Sequence, residues 1–117
     1  MRLNLDLGYV ESKKLVVAAG AWSHRFTAQL GVSIPLETER GYHVTIAHPE
    51  VLPSHVIMEA ERKFVATPME IGLRFAGTAE LAGLEAPPNY KRAEILLRLG
   101  KRMFPGISGT EKTEWMG

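Results

Sequence analysis

Residues 63–81 read KFVATPMEIGLRFAGTAEL, and the way this stretch folds decides the architecture. KFVATP (63–68) and GLRFAGTAEL (72–81) are two β-forming runs, joined through Met69, Glu70, Ile71 and Gly72, with Gly72 free to take a positive φ angle. Upstream, HVIME (55–59) reaches the first run through Glu59, Ala60, Glu61 and Arg62, a second hairpin-sized link. Three strands joined this way form an antiparallel meander. Further upstream, residues 41–47 alternate Tyr42, Val44 and Ile46 with His43, Thr45 and Ala47, the period of another strand. Downstream, Pro87 and Pro88 stop the chain and Asn89 is placed to cap a helix running to about Phe104. Its stripe of Ala93, Leu96, Leu97 and Met103, flanked by Ile95 and Leu99, would face the sheet, with Lys91, Arg92, Glu94, Arg98 and Lys101 outward. Strands in succession followed by a long helix predict an α+β fold, an antiparallel sheet backed by that helix. The closing GISGTEKTEWMG (106–117) has turn composition and one large aromatic, Trp115, expected to seek burial.

The N-terminal third reads differently. Leu3, Leu5 and Leu7 alternate with Asn4 and Asp6 as a strand that Gly8 ends. Residues 14–19, KLVVAA, are apolar on both faces, the signature of a strand central in a sheet. Gly20 breaks that run; Trp22, Phe26 and Leu30 then recur at helical spacing, and Gly31 follows as a terminator. Such a side-chain-poor corner is explained by close packing of strand on helix, or by a ligand resting against backbone near the amides of Trp22 and Ser23. This strand-helix pair belongs to a different layer from the meander.

A chain of 117 residues, 45% apolar and 23% charged, is long enough for one modest core. Fourteen basic against 13 acidic residues leave a net charge of +1, which supplies no field to attract nucleic acid or anionic lipid. The absence of cysteine excludes disulfides, thiolate metal sites and a thiol nucleophile. No apolar run approaches the ~20 residues that span a bilayer, and residues 1–10 do not have the pattern of a signal peptide.

Complete catalytic motifs are lacking. Neither G-x-G-x-x-G nor G-x-x-x-x-G-K-[ST] occurs among the 11 glycines, and no G-x-S-x-G elbow surrounds Ser23. His24, His43, His48 and His55 are not at metal-ligand spacing. Glu37 and Glu39 read as a solvated pair near Pro35. Arg40, Tyr42 and His43 open a strand where polar groups could line a pocket or serve structure, and Lys63 and Arg74 could bind an anion or lie on the surface.

Four separated segments, VVAAGAWSHRF, LETERGYHVTI, RKFVATPMEIGLRFAGTAEL and the terminal EWMG, in this order and spacing, resemble the FAD-dependent amino-acid oxidoreductases, in particular the D-amino-acid dehydrogenase branch of the D-amino-acid oxidase and glycine oxidase superfamily. The resemblance covers residues 14–117. It implies that residues 1–35 are the end of an FAD domain and 36–117 a substrate-binding domain whose sheet roofs the isoalloxazine ring. It implies Ala19, Gly20 and Trp22 near the flavin nucleotide, Gly77 and Thr78 near the ring, and Tyr42, Lys63 and Val65 toward substrate. The family's carboxylate-binding arginine falls beyond residue 117, so neither Arg40 nor Arg74 takes that role.

The family's glycine-rich dinucleotide fold is missing from these residues, so the chain is expected to be an internal fragment: FAD in the parent, none bound here, and no catalysis by the fragment alone. In the parent, the resemblance implies hydride transfer from an amino acid to FAD, in a cytoplasmic protein or one peripheral to the inner membrane. Expected partners are the rest of the parent chain, an amino-acid substrate, and further copies through an apolar sheet face, with no nucleic acid. The alternative is a stand-alone, non-catalytic binding or protein-interaction module on the same sheet.

Overall fold

A computed structural model of the protein describes residues 1–108 and 111–117. The chain divides into two compact units, Met1–Glu37 and Thr38–Gly117.

In Met1–Glu37, the first ten residues do not form one strand. They fold back as a hairpin, β1 (Arg2–Leu5) against β2 (Gly8–Glu11), with Leu3 opposite Val10 and Asp6 and Leu7 in the turn. Gly8, at φ +147°, begins the return strand rather than ending the first. Residues 14–19 form no regular element and pair with no strand among the described residues, which corrects the expectation of a central strand. Apolarity on both faces favours a buried strand only where neighbours cover both faces, and this unit supplies none. A single 3-10 turn, Gly20–Trp22, leads into α1 (Ser23–Gln29), which Gly31 closes at φ +77°. Leu3, Leu15, Val16, Phe26 and Leu30 line an open cleft of about 410 Å³ in this unit.

Thr38–Gly117 holds a five-stranded antiparallel sheet in the order β4-β5-β6-β3-β7, with β3 Glu39–Ile46, β4 Ile57–Glu59, β5 Phe64–Met69 and β6 Gly72–Leu81. The meander β4-β5-β6 forms as its two hairpins predict. The β5-β6 turn brings Met69 opposite Gly72, whose φ is +134°. A Cβ there would lie 2.0 Å from the carbonyl oxygen of Ile46, so only glycine fits.

A β-bulge interrupts the β3-β6 ladder: Tyr42 faces Thr78 while His43 faces Ala76, leaving Gly77 unpaired at φ +143°. The extra residue reverses the side to which Thr78 and Glu80 point. The helix α2 (Lys91–Met103) packs on β3 and β6. Its preceding residue is Tyr90, with no side-chain cap; Asn89 contributes its backbone, not the expected side chain.

The core lies between α2 and one sheet face: Tyr42, Val44, Ile46, Phe64, Ala66, Leu73 and Phe75 from the strands, Ala93 and Leu96 from the helix, and Ile107 beyond it. Gly100 lets the helix close on the Phe75 ring, where a Cβ would lie 2.5 Å from ring carbons. Burying a side chain as large as Phe64 or Phe75 stabilises the fold by about 1.5–3 kcal/mol.

The fifth strand, β7 (Lys112–Met116), runs antiparallel to β3 where the sequence suggests only turn. It is an edge strand carrying a Lys112–Glu114 ion pair at 2.6 Å, so it lacks the apolar alternation that marks a half-buried strand. Trp115 stays 53% exposed on it, against the expectation of burial.

Candidate functional site

Period-two alternation sorts the sheet of Thr38–Gly117 into a face under α2 and a far face turned from it. Cross-strand pairs on the far face form two rungs. One runs Met58, Val65, Ala76, His43, Trp115; the next runs Thr67, Arg74, Thr45, Thr113. The first rung is apolar and aromatic, with the His43 ring stacked on Trp115 at 5.0 Å between centroids and 20° between planes. In the second, Arg74 Nε donates to Thr45 Oγ1 at 3.4 Å. Burial, and secondarily the Arg74 charge, hold the His43 imidazole below its usual pKa, which favours the uncharged ring.

Beyond the aromatic rung, Gly41 of β3 is paired with Ala79 of β6, a stretch of small residues. Gly41 and Gly117 exchange backbone hydrogen bonds (2.6 and 3.1 Å), the Gly77 bulge lies across β3, and the only atom within 4 Å of a Cβ built on Gly41 is a carbonyl oxygen at 3.8 Å. The Trp115 indole leans over Gly117 so closely that no side chain could stand there.

Under α2 the Thr78 and Glu80 side chains, turned inward by the bulge, build a polar cluster. Tyr42 Oη donates to Glu80 at 2.5 Å and accepts from the Asn89 amide at 2.9 Å. Arg92 donates to Thr78 Oγ1 at 2.9 Å and lies 3.3 Å from Glu80. Arg40 donates to the carbonyl of Ala86 at 2.6 Å and stands 3.9 Å from Glu80. The Tyr42 hydrogen bond above all holds the Glu80 carboxyl below its ordinary pKa; burial opposes it, and Arg92 and Arg40 add to the lowering. Arg92 therefore points inward, not to solvent as the helical pattern predicts.

Tyr42 and His43, adjacent in sequence, thus serve opposite faces. Val65 lies half-buried in the aromatic rung of the far face; Tyr42 is 2% exposed beneath α2; Lys63 sits in the β4-β5 turn with φ +54°. Gly77 forms the bulge and Thr78 joins the polar cluster. In the other unit, Ala19 is half-buried, and Gly20 (φ +52°) has open space where a Cβ would stand. Trp22 is 55% exposed. The Trp22 and Ser23 amides already donate to Ala19 and Gly20 carbonyls, so the turn itself occupies the donors expected to face a ligand. Sequence reading missed Glu80 and Arg92 as partners and Trp115 as a surface group, because a one-residue bulge cannot be seen in the period-two pattern.

The family model described as FAD dependent oxidoreductase matches residues 4–117, and the chain belongs to that family. The match contains the segments on which the resemblance rests. A D-amino-acid oxidase of Bradyrhizobium diazoefficiens is 52% identical over 102 residues, 87% of this chain and 24% of that protein. A D-amino acid dehydrogenase of Vibrio vulnificus is 32% identical over 118 residues (98% and 28%), and one of Paramagnetospirillum magneticum 33% over 113 (94% and 27%). The chain therefore spans about a quarter of the length of these relatives. No solved structure gives a significant match. Among the described residues no helix is long and apolar enough to cross a membrane.

Proposed function

We propose that this chain is the roof of the active site of a flavin-dependent amino-acid oxidoreductase acting on D-amino acids, with the remaining three quarters of the protein supplying the cavity floor. The observation that carries this reading is the far face of the sheet: open backbone at Gly41 beside the stacked His43 and Trp115, within a chain of this family.

In this reading the patch at Gly41, His43 and Trp115 meets the flat isoalloxazine ring. FAD supplies the chemistry when bound, accepting hydride from the substrate Cα. The residues of this chain exclude water and orient. Val65 and Ala76 offer apolar contact to a substrate side chain, and neutral His43 adds an uncharged polar ring. Tyr42, its hydroxyl held by Glu80 and Asn89, positions the loop before α2, with Lys63 at the rim of the β4-β5 turn. Gly77, whose missing Cβ leaves room for the backbone of Lys63 and Phe64, keeps the bulged strand near the ring, and Thr78 anchors the bulge through Arg92. Ala19, Gly20 and Trp22 contact the flavin nucleotide from the N-terminal unit, which is the end of the FAD domain.

In the absence of a glycine-rich phosphate-binding motif the isolated chain holds no flavin and is inactive, and its exposed sheet face, with Met58 and Trp115 on it, drives self-association. The test is a chimera of the Bradyrhizobium diazoefficiens D-amino-acid oxidase in which these residues replace the matching segment. Oxidation of D-amino acids by the flavin-loaded chimera is expected. A folded, flavin-loaded chimera without that activity would overturn the reading.

A further inference from the structure

The strand β6 has the apolar alternation of a register that it does not take. Without interruption, Leu73, Phe75, Gly77, Ala79 and Leu81 would share one face, and Arg74, Ala76, Thr78 and Glu80 the other. A bulge-free ladder continued from His43 opposite Ala76 would therefore turn Ala79 and Leu81 inward. The observed bulge does the reverse: it leaves Leu81 74% exposed and brings Thr78 and Glu80 under α2.

Charge opposes the bulge-free register. In the bulged ladder Arg40 stands opposite Glu80, and Glu39 opposite Leu81. With the bulge removed, Glu80 would face Glu39, a like-charge pair, and Ala79 would face Arg40. Two buried guanidinium nitrogens, Arg40 Nη1 and Arg92 Nε, make no hydrogen bond among the described residues and lie 3.9 and 3.3 Å from the Glu80 carboxylate. Moving Glu80 to the far face would take from both the carboxylate that they face. The backbone favours the other side of the balance: Gly77 bears the bulge at φ +143°, where a Cβ would lie 2.6 Å from the Lys63 carbonyl oxygen and from Phe64 Cα.

We propose that Glu80 selects the register of β6 against β3, and that residues 77–81 have a second, bulge-free register into which the chain passes when that charge is reversed. The second register sets Thr78 opposite Gly41 and residue 80 opposite Glu39 on the far face, and turns Leu81 inward. Its consequence for function rests on the reading of the far face as the roof of a flavin cavity. There Glu80 is a positioning residue: from beneath α2 it keeps Ala79, not Thr78, opposite Gly41, and it keeps its own carboxylate off the surface that His43 and Trp115 share.

The register can be read on the chain as it exists, without flavin, from cross-strand backbone contacts in NMR and from broadening of the Leu81 methyl groups by a soluble gadolinium chelate. In the wild-type chain Tyr42 is expected to contact Thr78, and the Leu81 methyls to broaden. Glu80→Lys sets a cation against Arg40 and Arg92 in the bulged register, but opposite Glu39 in the other. It is expected to replace the Tyr42–Thr78 contact by one between Tyr42 and Gly77. Broadening of Leu81 should fall by about fivefold or more, since a shift of one residue moves its side chain from solvent to the covered face. A folded Glu80→Lys chain that keeps the Tyr42–Thr78 contact and the exposed Leu81 would overturn the proposal. If Glu80→Lys does not fold, Gly77→Ala decides by the same two readings, because it opposes the bulge through the backbone and leaves every charge in place. Loss of the fold in both variants would overturn the proposal as well, since a chain with a second sound register folds into it. Failure here leaves the chimera test intact, and an inactive chimera leaves the register unaffected.

Discussion

Residues 1–37 and residues 38–117 have similarly apolar sequences yet organise that apolarity in opposite ways. In the first region Leu3, Leu5, Val10, Leu15, Val16, Phe26 and Leu30 are all exposed, and none of its residues is buried. In the second, Val44, Ile46, Phe64, Leu73 and Phe75 are completely enclosed between a sheet and one helix. The difference lies in partners, not in hydrophobicity. Every strand of the second region finds its neighbours within the same 80 residues, whereas residues 14–19 pair with no strand among the described residues. A segment can carry the pattern of a central strand and still depend on polypeptide elsewhere to become one.

Hydrogen exchange offers the widest test of this contrast. Amides at 14–19 should exchange almost as in an unfolded peptide, while those of Val44 and Phe75 should be protected by about a thousandfold or more, since opening them requires global unfolding. Similar protection in both regions would break the comparison. Next in size, Phe75→Ala should destabilise residues 38–117 by about 3–5 kcal/mol in urea unfolding. Phe26→Ala, already 44% exposed, should leave that transition within about 0.5 kcal/mol of wild type.

Glycine substitutions sharpen the same contrast. Gly72→Ala forces a Cβ onto the Ile46 carbonyl and should cost about 3 kcal/mol or more, combining clash with an unfavourable φ. Gly20→Ala has open space around it and meets only the cost of a left-handed residue, about 1 kcal/mol. The smallest effect concerns acid. Glu80 is held below its ordinary pKa of 4.5, so the unfolded state binds the proton more readily. Its contribution is present above that value and is lost as pH falls through the depressed pKa. Stability followed from pH 7 down to pH 3 should therefore drop more steeply in wild type than in Glu80→Gln, with the two converging at the acid end. Parallel curves would show that the cluster under α2 has no part in the pH response.

Much of the second region could be read directly. Tyr42, Val44 and Ile46 mark one face of β3 by simple alternation, Gly72 marks a turn that no other residue fits, and Ala93, Leu96 and Leu97 mark the covered side of α2. The family could be read as well, because four segments in fixed order carry it through to Trp115 and Gly117. The polar cluster could not. Glu80 reaches Tyr42, Arg40 and Arg92 only because Gly77 adds one residue to the ladder and turns the strand over. Nothing local in GLRFAGTAEL distinguishes that from an uninterrupted strand.

What the sequence by itself determined was the set of elements that bury their own apolar faces, the α+β class that follows from their order, and the family to which the chain belongs. Local periodicity and turn chemistry act over a few residues, so they survive reading one residue at a time. Only the tertiary structure decided that β7 closes the sheet, that Trp115 lies on the surface against His43, and that Arg74 stands between Thr45 and Thr67. Each of these depends on register between strands distant in sequence, where a shift of one residue sends a side chain to the opposite face.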